Sequence, residues 1–486
     1  MNDNQLVSPL ARSKDFIGRV LDSKIDGKRL AEFLVSGTYN FFPLYTAGTI
    51  FRLSDGEETK NKISKPQGTF IRRVGMRLLM VLISIGAYIR LLIARPRVLI
   101  FSVDKMSGIS GNDARLDTVY RALKKKNISF IELLHTFPDG DFFRNFKNRD
   151  HLVLYSRVID FIFLFFRARK NDFSSLDGDF KDDNERKTAL HLVHTYREEI
   201  SRSEMRIKLL TLFLSLSSVE CVFTIDDPRN YGELLVACER LKIPVYAVQH
   251  GFFSKYHIGW LRNSNDIGRV PTPTKLLVWS EYWKQELLRL GTYFKDEQIE
   301  VGGSLVKDNN VVYGNNVHKD ATLGVLFLYE NLMVVKKDVK KYMDVCLADS
   351  ACQVYFKLRP GKTADEQFGE YGLRKEDIKK IIPVTDIQSV VSSINIVAGT
   401  YSSFLYDMIV YEKPVAILKS IVDMGDGMIE NGLADLVSFE EGDVLLQMKK
   451  LSNTSQEILR KRKDKIGTLL SMEDTIAKII EKEKLA

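Results

Sequence analysis

The stretch "CVFTIDDPRNYGELLVACERLKIPVYAVQHG" (Cys221–Gly251) holds two short apolar runs on either side of a segment with helical spacing. The runs "CVFTI" and "IPVYAVQ" are almost continuously apolar, which is typical of strands that are covered on both faces of a sheet. Between them, Leu234, Cys238 and Leu241 recur at the spacing of one helix face. Strand, helix and strand in this order predict a parallel unit of an α/β fold.

The same alternation continues on both sides of this unit. Before it, "RVLIFSV" (Arg97–Val103) predicts a first buried strand, and after it "KLLVWS" predicts another. A polar stretch, Gly302–Thr322, then interrupts the pattern, which restarts with the strands "LGVLFLY", "CQVYFKL", "INIVAG" and "KPVAIL". We therefore expect an α/β fold with two Rossmann-like doubly wound domains and an N-terminal helical extension.

The expected domain boundaries follow from these breaks in the pattern. They are 1–96 for the extension with its basic helix, 97–305 for the N-terminal domain, 320–442 for the C-terminal domain and 443–486 for a charged helical tail. We expect the tail to pack across both domains.

Composition narrows the choice of partners. The net charge of +8 suits an anionic partner, which could be nucleic acid, an anionic lipid surface or a phosphorylated small molecule. The basic residues are spread along the chain without helix-turn-helix or zinc-finger spacing, which argues against nucleic acid. The four cysteines form no CxxC pair, and the N-terminus lacks the apolar core of a secretory signal. We expect a cytoplasmic protein without metal or redox chemistry.

One segment could meet a membrane. The stretch "VGMRLLMVLISIGAYIRLLIARPR" (Val74–Arg97) has a charge-free core of about 12 residues, whereas a spanning helix needs about 20. Arginines flank that core on both sides, which favours a helix lying on an anionic membrane surface. The alternative is a helix buried against the first domain, and a true span is the least favoured interpretation.

Polar residues that follow the predicted strands are candidates for the site, because ligands of open parallel sheets bind beyond the carboxyl ends of the strands. Asp226 and Asp227 follow "CVFTI", and His250 follows "YAVQ", so a carboxylate and an imidazole are expected to converge. A general base or a carboxylate nucleophile needs this placement. Taken singly, each residue could equally be a turn former or a strand-end residue. On the acceptor side, after the first strand, the candidates are Ser107, Ser110 and Asn112.

The second domain contains a candidate phosphate site in "VAGTYSSFLYDMIVYEKPVAIL" (Val397–Leu418), which reads as strand, turn, helix and strand. Hydroxyls and backbone N–H groups at a helix N-terminus suit a phosphate, and cations from a neighbouring strand would assist them. The serines could instead be simple N-caps. No DxD-type pair is evident, so we expect neither a metal nor another cofactor. The donor-side candidates are Glu330, Lys357, Arg359, Thr400, Ser402, Ser403 and Asp407.

Three stretches, "GELLVACERLKIPVYAVQHG", "PTPTKLLVWSEYWKQELLRLG" and "GTYSSFLYDMIVYEKPV", resemble the GT-B glycosyltransferases of bacterial surface-polysaccharide (capsule and O-antigen) synthesis. The relatives include Kdo transferases and CDP-glycerol glycerophosphotransferases, and the resemblance covers roughly Arg97 to Leu418. It implies two domains that face a cleft, with the nucleotide donor held mainly by the C-terminal domain and the acceptor by the N-terminal one.

The resemblance also implies residue roles. His250 corresponds to the base of the glycerophosphotransferases, and the donor-phosphate residues would be Ser402, Ser403, Asp407 and Pro414. In Kdo transferases an aspartate of the N-terminal domain is the proposed nucleophile, which points to Asp226 or Asp227.

This chain departs from the glycerophosphotransferase pattern at Arg359–Pro360 and at Gly399–Thr400, which favours sugar transfer over glycerol phosphate transfer.

The expected function is therefore a glycosyltransferase, peripheral at the inner face of the cytoplasmic membrane. It would move a sugar from a nucleotide donor, CMP-Kdo-like or another nucleotide sugar, to a growing lipid-linked surface glycan. One alternative is a polyol-phosphate transferase of the CDP-glycerol type, which would leave phosphate in its polymeric product. The other is a non-catalytic nucleotide-sugar-binding subunit of a polysaccharide assembly complex.

Overall fold

The computed structural model describes most of the chain from residue 95 onward and parts of the extension before it. The described residues are 9–25, 27–30, 81, 82, 85, 89, 93, 95–103, 112–135, 151–155, 176–226, 232–255, 260–261, 271–303, 322–330, 333–359, 362–421, 425–467 and 470–485.

The described part of the extension begins with a helix and a small hairpin. These elements are α1 (Pro9–Asp22), β1 (Lys24–Ile25) and β2 (Lys28–Arg29). An ion pair between Arg19 and Glu185 fixes the helix to the N-terminal domain.

The N-terminal domain is built on one parallel sheet. Its elements are β3 (Val98–Val103), α2 (Asp117–Lys125), β4 (Phe130–His135), β5 (Leu152–Tyr155), α3 (Asp183–Leu216), β6 (Cys221–Ile225), α4 (Gly232–Leu241), β7 (Val245–Val248), β8 (Lys275–Val278), α5 (Glu281–Arg289) and β9 (Ile299–Val301). Within the described residues the strand order is β5-β4-β3-β6-β7-β8-β9. The order reverses between β3 and β6, which makes their carboxyl ends the switch point of the sheet.

The C-terminal domain repeats the arrangement with a second parallel sheet. Its elements are β10 (Leu323–Leu328), α6 (Met333–Ala348), β11 (Cys352–Lys357), α7 (Ala364–Glu370), α8 (Lys375–Ile378), β12 (Ile381–Val384), β13 (Ile396–Gly399), α9 (Phe404–Val410), β14 (Val415–Leu418), α10 (Asp426–Glu430) and β15 (Asp435–Val437). The strand order among the described residues is β12-β11-β10-β13-β14-β15, and the switch point lies between β10 and β13.

The apolar runs of the sequence form these strands because both faces of each sheet are covered by helices. Every residue of β6, β7, β10, β13 and β14 is buried. Cys221, Cys238 and Cys346 lie in the core as small apolar side chains. The expected α/β fold with two doubly wound domains is confirmed by the two strand orders.

Three helices complete the chain and contact both domains. They are α11 (Val444–Ser452), α12 (Gln456–Ile466) and α13 (Met472–Lys482). The first packs on the C-terminal sheet, the second contacts both α5 and α9, and the third lies along α2 of the N-terminal domain. Tyr246 donates a hydrogen bond of 2.6 Å to Glu483, just beyond α13.

The domains also meet through α5 and α9, where aromatic rings from each side pack at tilted angles. The rings of Trp283 and Tyr406 lie 4.3 Å apart between centroids, and Phe252 lies 6.0 Å from the same tyrosine ring. At the rim, Lys255 and Glu430 form an ion pair of 2.9 Å. These contacts bring the carboxyl ends of the two sheets towards each other.

Candidate functional site

An aspartate and a histidine meet at the carboxyl edge of the N-terminal sheet. Asp226 follows β6 and His250 follows β7, and β6 and β7 are paired neighbours. One oxygen of Asp226, Oδ1, accepts a hydrogen bond of 3.0 Å from the backbone N–H of His250 and also contacts the Nδ1 atom of the imidazole. The Asp226 side chain is 1% exposed and that of His250 is 17% exposed. The convergence of a carboxylate and an imidazole, expected from consecutive strands, is present.

This geometry assigns different tasks to the two side chains. A carboxylate at Nδ1 holds the imidazole in the tautomer that carries its proton there, which leaves Nε2 able to accept a proton from a substrate. No described residue hydrogen-bonds to Nε2 of His250. Because Asp226 is almost fully buried, the geometry favours an orienting role for it over direct attack on a sugar.

The turn that carries His250 is held by its neighbours. Gln249 is fully buried, and its amide donates to the carbonyl of Gly251 at 2.8 Å. Trp279 donates its backbone N–H and its indole N–H to Gln249, each at 2.9 Å. Trp260 donates its indole N–H to the backbone carbonyl of Asp226 at 2.8 Å.

Sequence reasoning missed Gln249, Trp260 and Trp279. The available signal was that a buried indole needs a partner for its N–H group.

Of the other candidates in the N-terminal domain, only Asn112 lies within the described residues. Asp227, Ser107 and Ser110 lie outside the described residues. Asn112 is buried and directly precedes Asp113, which caps the short turn before α2. That turn contacts β6, so Asn112 lies near the switch point of the sheet.

A buried carboxyl group closes the switch point of the C-terminal sheet. Glu330, 1% exposed, follows β10, and its Oε1 atom accepts a hydrogen bond of 2.7 Å from the backbone N–H of Thr400 after β13. The backbone N–H of Glu330 donates to the Tyr371 hydroxyl at 2.8 Å. Burial raises the pKa of Glu330 to about 7, against hydrogen bonds that lower it. Glu330 therefore fixes the loop after β13 through its hydrogen bond to the backbone of Thr400.

Lys357 and Asp407 lie together on one side of this edge. Nζ of Lys357 donates to the carbonyl of Thr385 at 2.9 Å and lies 5.5 Å from the ring centroid of Phe404. Burial lowers the pKa of Lys357 and raises that of Asp407 to about 7, while the charge of Lys357 acts to lower the latter. The Asp407 carboxyl, which is partly buried, makes no hydrogen bond with a described residue. It is available to a ligand hydroxyl.

Arg359 lies apart from Lys357. Its backbone N–H and carbonyl are both held by the buried amide of Gln367 at 2.9 Å. Its guanidinium lies 6.0 Å from the ring centroid of Tyr329. The strand β11 ends at Lys357, so the alternation of a strand no longer governs the direction of Arg359. The sequence predicts that Lys357 and Arg359 bind the same anion. In the structure they lie at two separate, neighbouring positions.

The turn before α9 carries two serine hydroxyl groups, and the helix that follows it is only seven residues long. Ser402 and Ser403 are partly exposed, and Oγ of Ser402 accepts a long hydrogen bond of 3.4 Å from the N–H of Phe404. Ser403 occupies the N-cap position without a capping hydrogen bond.

Pro414, which the resemblance placed with the donor phosphates, precedes β14 and so lies at the amino end of that strand. Its position contradicts that implied role, because the other donor-side candidates follow strands at the opposite edge.

The described residues contain no group of three or more histidine, cysteine or acidic residues that could hold a metal ion. No protein-family model matches the chain, and no curated protein matches its sequence.

Solved structures similar to this chain include the calicheamicin glycosyltransferase CalG4, with 13% identity and a TM-score of 0.49 over 80% of this chain and 98% of that one. The lipopolysaccharide outer core galactosyltransferase WaaB has 12% identity and a TM-score of 0.44 over 79% and 99%. The UDP-GlcNAc 2-epimerase from Neisseria meningitidis, bound to UDP-GlcNAc, has 11% identity and a TM-score of 0.43 over 79% and 98%. All three TM-scores are below 0.5, so the similarity to each is weak.

Proposed function

We propose that this protein is a glycosyltransferase of the GT-B type that moves a sugar from a nucleotide donor to a glycan hydroxyl. The observation that carries the proposal is the Asp226–His250 pair at the carboxyl edge of the N-terminal sheet. Phe252, two residues after His250, touches Tyr406, which directly precedes Asp407. A base in one domain and an anion-binding edge in the other are what transfer from a nucleotide donor requires.

In the proposed reaction, Nε2 of His250 takes the proton of the acceptor hydroxyl while the oxygen attacks the anomeric carbon of the donor. The bond from that carbon to the nucleotide phosphate breaks, and the phosphate leaves with the electron pair. Asp226 stabilises the imidazolium that forms, and Arg359 stabilises the charge on the departing nucleotide. A single displacement of this kind inverts the configuration of the anomeric carbon.

We further propose that the acceptor is a growing lipid-linked glycan and that the protein works on the inner face of the cytoplasmic membrane. Support comes from the helical residues Leu82, Ile85, Ile89 and Ile93, whose side chains are 65%, 50%, 54% and 76% exposed. They recur at the spacing of one helix face among flanking arginines, as in helices that lie on anionic membranes. Among the described residues, no helix has the length and hydropathy to cross a bilayer.

Thermal stabilisation by CMP, CDP, UDP, GDP and dTDP tests the donor side, because a ligand that binds only the folded state raises the Tm. We expect one of these nucleotides to raise the Tm more than the others do. If that nucleotide is CMP, the donor is Kdo-like. The product then separates the alternatives, since a polyol-phosphate transferase leaves phosphate in its polymer. A protein that a nucleotide stabilises, but that transfers nothing, would be the non-catalytic nucleotide-sugar-binding subunit instead.

Sedimentation with anionic vesicles tests the membrane part of the proposal. The double substitution Ile85→Glu with Ile89→Glu should release the protein from the vesicles. Leu446→Glu, at an exposed leucine of α11, is the control and should leave binding unchanged. Equal binding by all three proteins would refute the assignment of this helix.

A further inference from the structure

A cluster of charged side chains surrounds Tyr329 at the carboxyl ends of β10 and β11. Lys336 of α6 is 3% exposed, and its Nζ donates to the Tyr329 hydroxyl at 2.9 Å and pairs with Glu370. Lys362 pairs with the same carboxylate. The guanidinium of Arg359 lies 6.0 Å from the ring centroid of Tyr329.

The charges in this cluster do not balance. Among the described residues, Lys336 and Lys362 both pair with one carboxylate, Glu370, and Arg359 near the same tyrosine ring forms no ion pair, so the cations outnumber the carboxylate that pairs with them. A second acid, Glu366, accepts hydrogen bonds from the N–H and hydroxyl of Thr363, serves the cap of α7 and also interacts with the charge of Lys362. An uncompensated excess of charge in a partly buried place is costly unless an anion joins it.

Glu370 is ionised under all ordinary conditions. Burial acts against its ionisation, yet hydrogen bonds from Lys336, Lys362 and Tyr329 hold its pKa at about 2. Its side chain is 26% exposed and that of Lys362 is 44% exposed, whereas Lys336 is buried. A ligand from solvent can therefore reach Lys362 and Arg359 and take over part of the role of Glu370 while Lys336 stays covered.

We propose that this cluster binds a phosphoryl dianion and that Glu370 is an internal counter-ion, which the phosphoryl group displaces from Lys362. Once Glu370 is displaced from Lys362, Lys362 and Arg359 together offer two positive charges to a dianion, and the donors of an arginine and a lysine suit phosphate oxygens. The cluster adjoins Glu330 at the switch point, where ligands of such sheets bind. The proposal rests on the proposed function only in identifying the dianion as part of the donor.

Titration calorimetry of the full chain with inorganic pyrophosphate tests the site. Arg359→Gln and Lys362→Gln should each raise the Kd about tenfold, as expected for the loss of a charge-assisted hydrogen bond. Glu370→Gln keeps the shape of the side chain and removes the competing charge, so it should lower the Kd about fivefold to tenfold. Lys340→Gln, at an exposed lysine of α6 that pairs with Asp344, is the control and should leave the Kd unchanged.

The sign of the Glu370→Gln effect separates a counter-ion from a purely structural ion pair, because loss of a structural pair would weaken binding. Tighter binding by this variant together with weaker binding by the other two supports the proposal. If Glu370→Gln fails to fold, the Kd values of the Arg359 and Lys362 variants test the site, and an unchanged Kd in both would overturn the proposal. Absence of pyrophosphate binding, or a folded Glu370→Gln protein without tighter binding, would overturn it. Equilibrium binding needs no transfer reaction, so failure of the proposed function would leave this result standing.

Discussion

The two sheets share their strand order except for one additional strand in the N-terminal sheet, but their carboxyl edges carry different kinds of side chain. The N-terminal edge presents an imidazole positioned by a buried carboxylate and by hydrogen bonds from tryptophans. The C-terminal edge presents lysines and an arginine among carboxyl groups, two of which have a pKa raised by burial to about 7. One edge is therefore suited to moving a proton and the other to holding an anion. The shared topology supplies the location, and the residues after each strand supply the function.

The largest effect should come from removing the base of the N-terminal edge. We expect His250→Ala to lower kcat by about 100-fold to 10,000-fold, the range for loss of a general base. Its unfolding free energy should fall by only about 1–3 kcal/mol, because the buried Asp226 loses the imidazole but keeps the backbone N–H of residue 250. Asp226→Asn should also lower kcat, because the amide no longer stabilises the imidazolium. Steady-state kinetics and urea unfolding measure the two quantities, and equal losses of activity and stability would argue for a structural role.

A second prediction concerns Glu330 and the pH dependence of stability. Its pKa is raised from an ordinary value near 4.5 to about 7, so the folded protein keeps a proton that the unfolded chain has released in that interval. Stability should therefore fall as the pH rises from about 4.5 to about 7 and then level off. The expected contribution is on the order of 2–3 kcal/mol, and Glu330→Gln should remove it.

Urea unfolding at pH 5, 6, 7 and 8 measures this slope. Asp407→Asn is a second variant for the same measurement, because burial also raises the pKa of Asp407, whose side chain is more exposed than that of Glu330. Identical slopes for the wild type and Glu330→Gln would contradict the burial argument.

The smallest effect is expected where the two regions meet. Lys255 and Glu430 are 41% and 48% exposed, and exposed ion pairs contribute about 0–1 kcal/mol. Lys255→Ala should accordingly change the unfolding free energy by less than about 1 kcal/mol. A double-mutant cycle with Glu430→Ala measures the coupling. A coupling energy well above this range would mean that the ion pair, and not the contact between the rings of Trp283 and Tyr406, dominates the interaction between the domains.

The sequence was sufficient to predict the fold and one part of the site. Continuous apolar runs and helix-face spacing predict buried parallel strands, and consecutive strands bring Asp226 and His250 together. The predicted boundaries of the extension, the domains and the tail stay predictions.

The cluster around Tyr329 was not predicted, because Lys336 and Glu370 are 34 positions apart and each reads as an ordinary charge on a solvated helix. The separation of Lys357 from Arg359 was missed because it depends on where β11 ends. That end is fixed by the buried side chain of Gln367, a contact between segments that periodicity does not reveal.

The return of the final helix to the N-terminal domain has a consequence for how the chain is made. Helix α13 lies along α2, and Tyr246 bonds to Glu483, three positions from the C-terminus. During synthesis at about 5–20 residues per second, the N-terminal sheet leaves the ribosome on the order of ten seconds or more before this helix does. The domain that is synthesised first therefore keeps an uncovered apolar face until α13 has been synthesised and covers it.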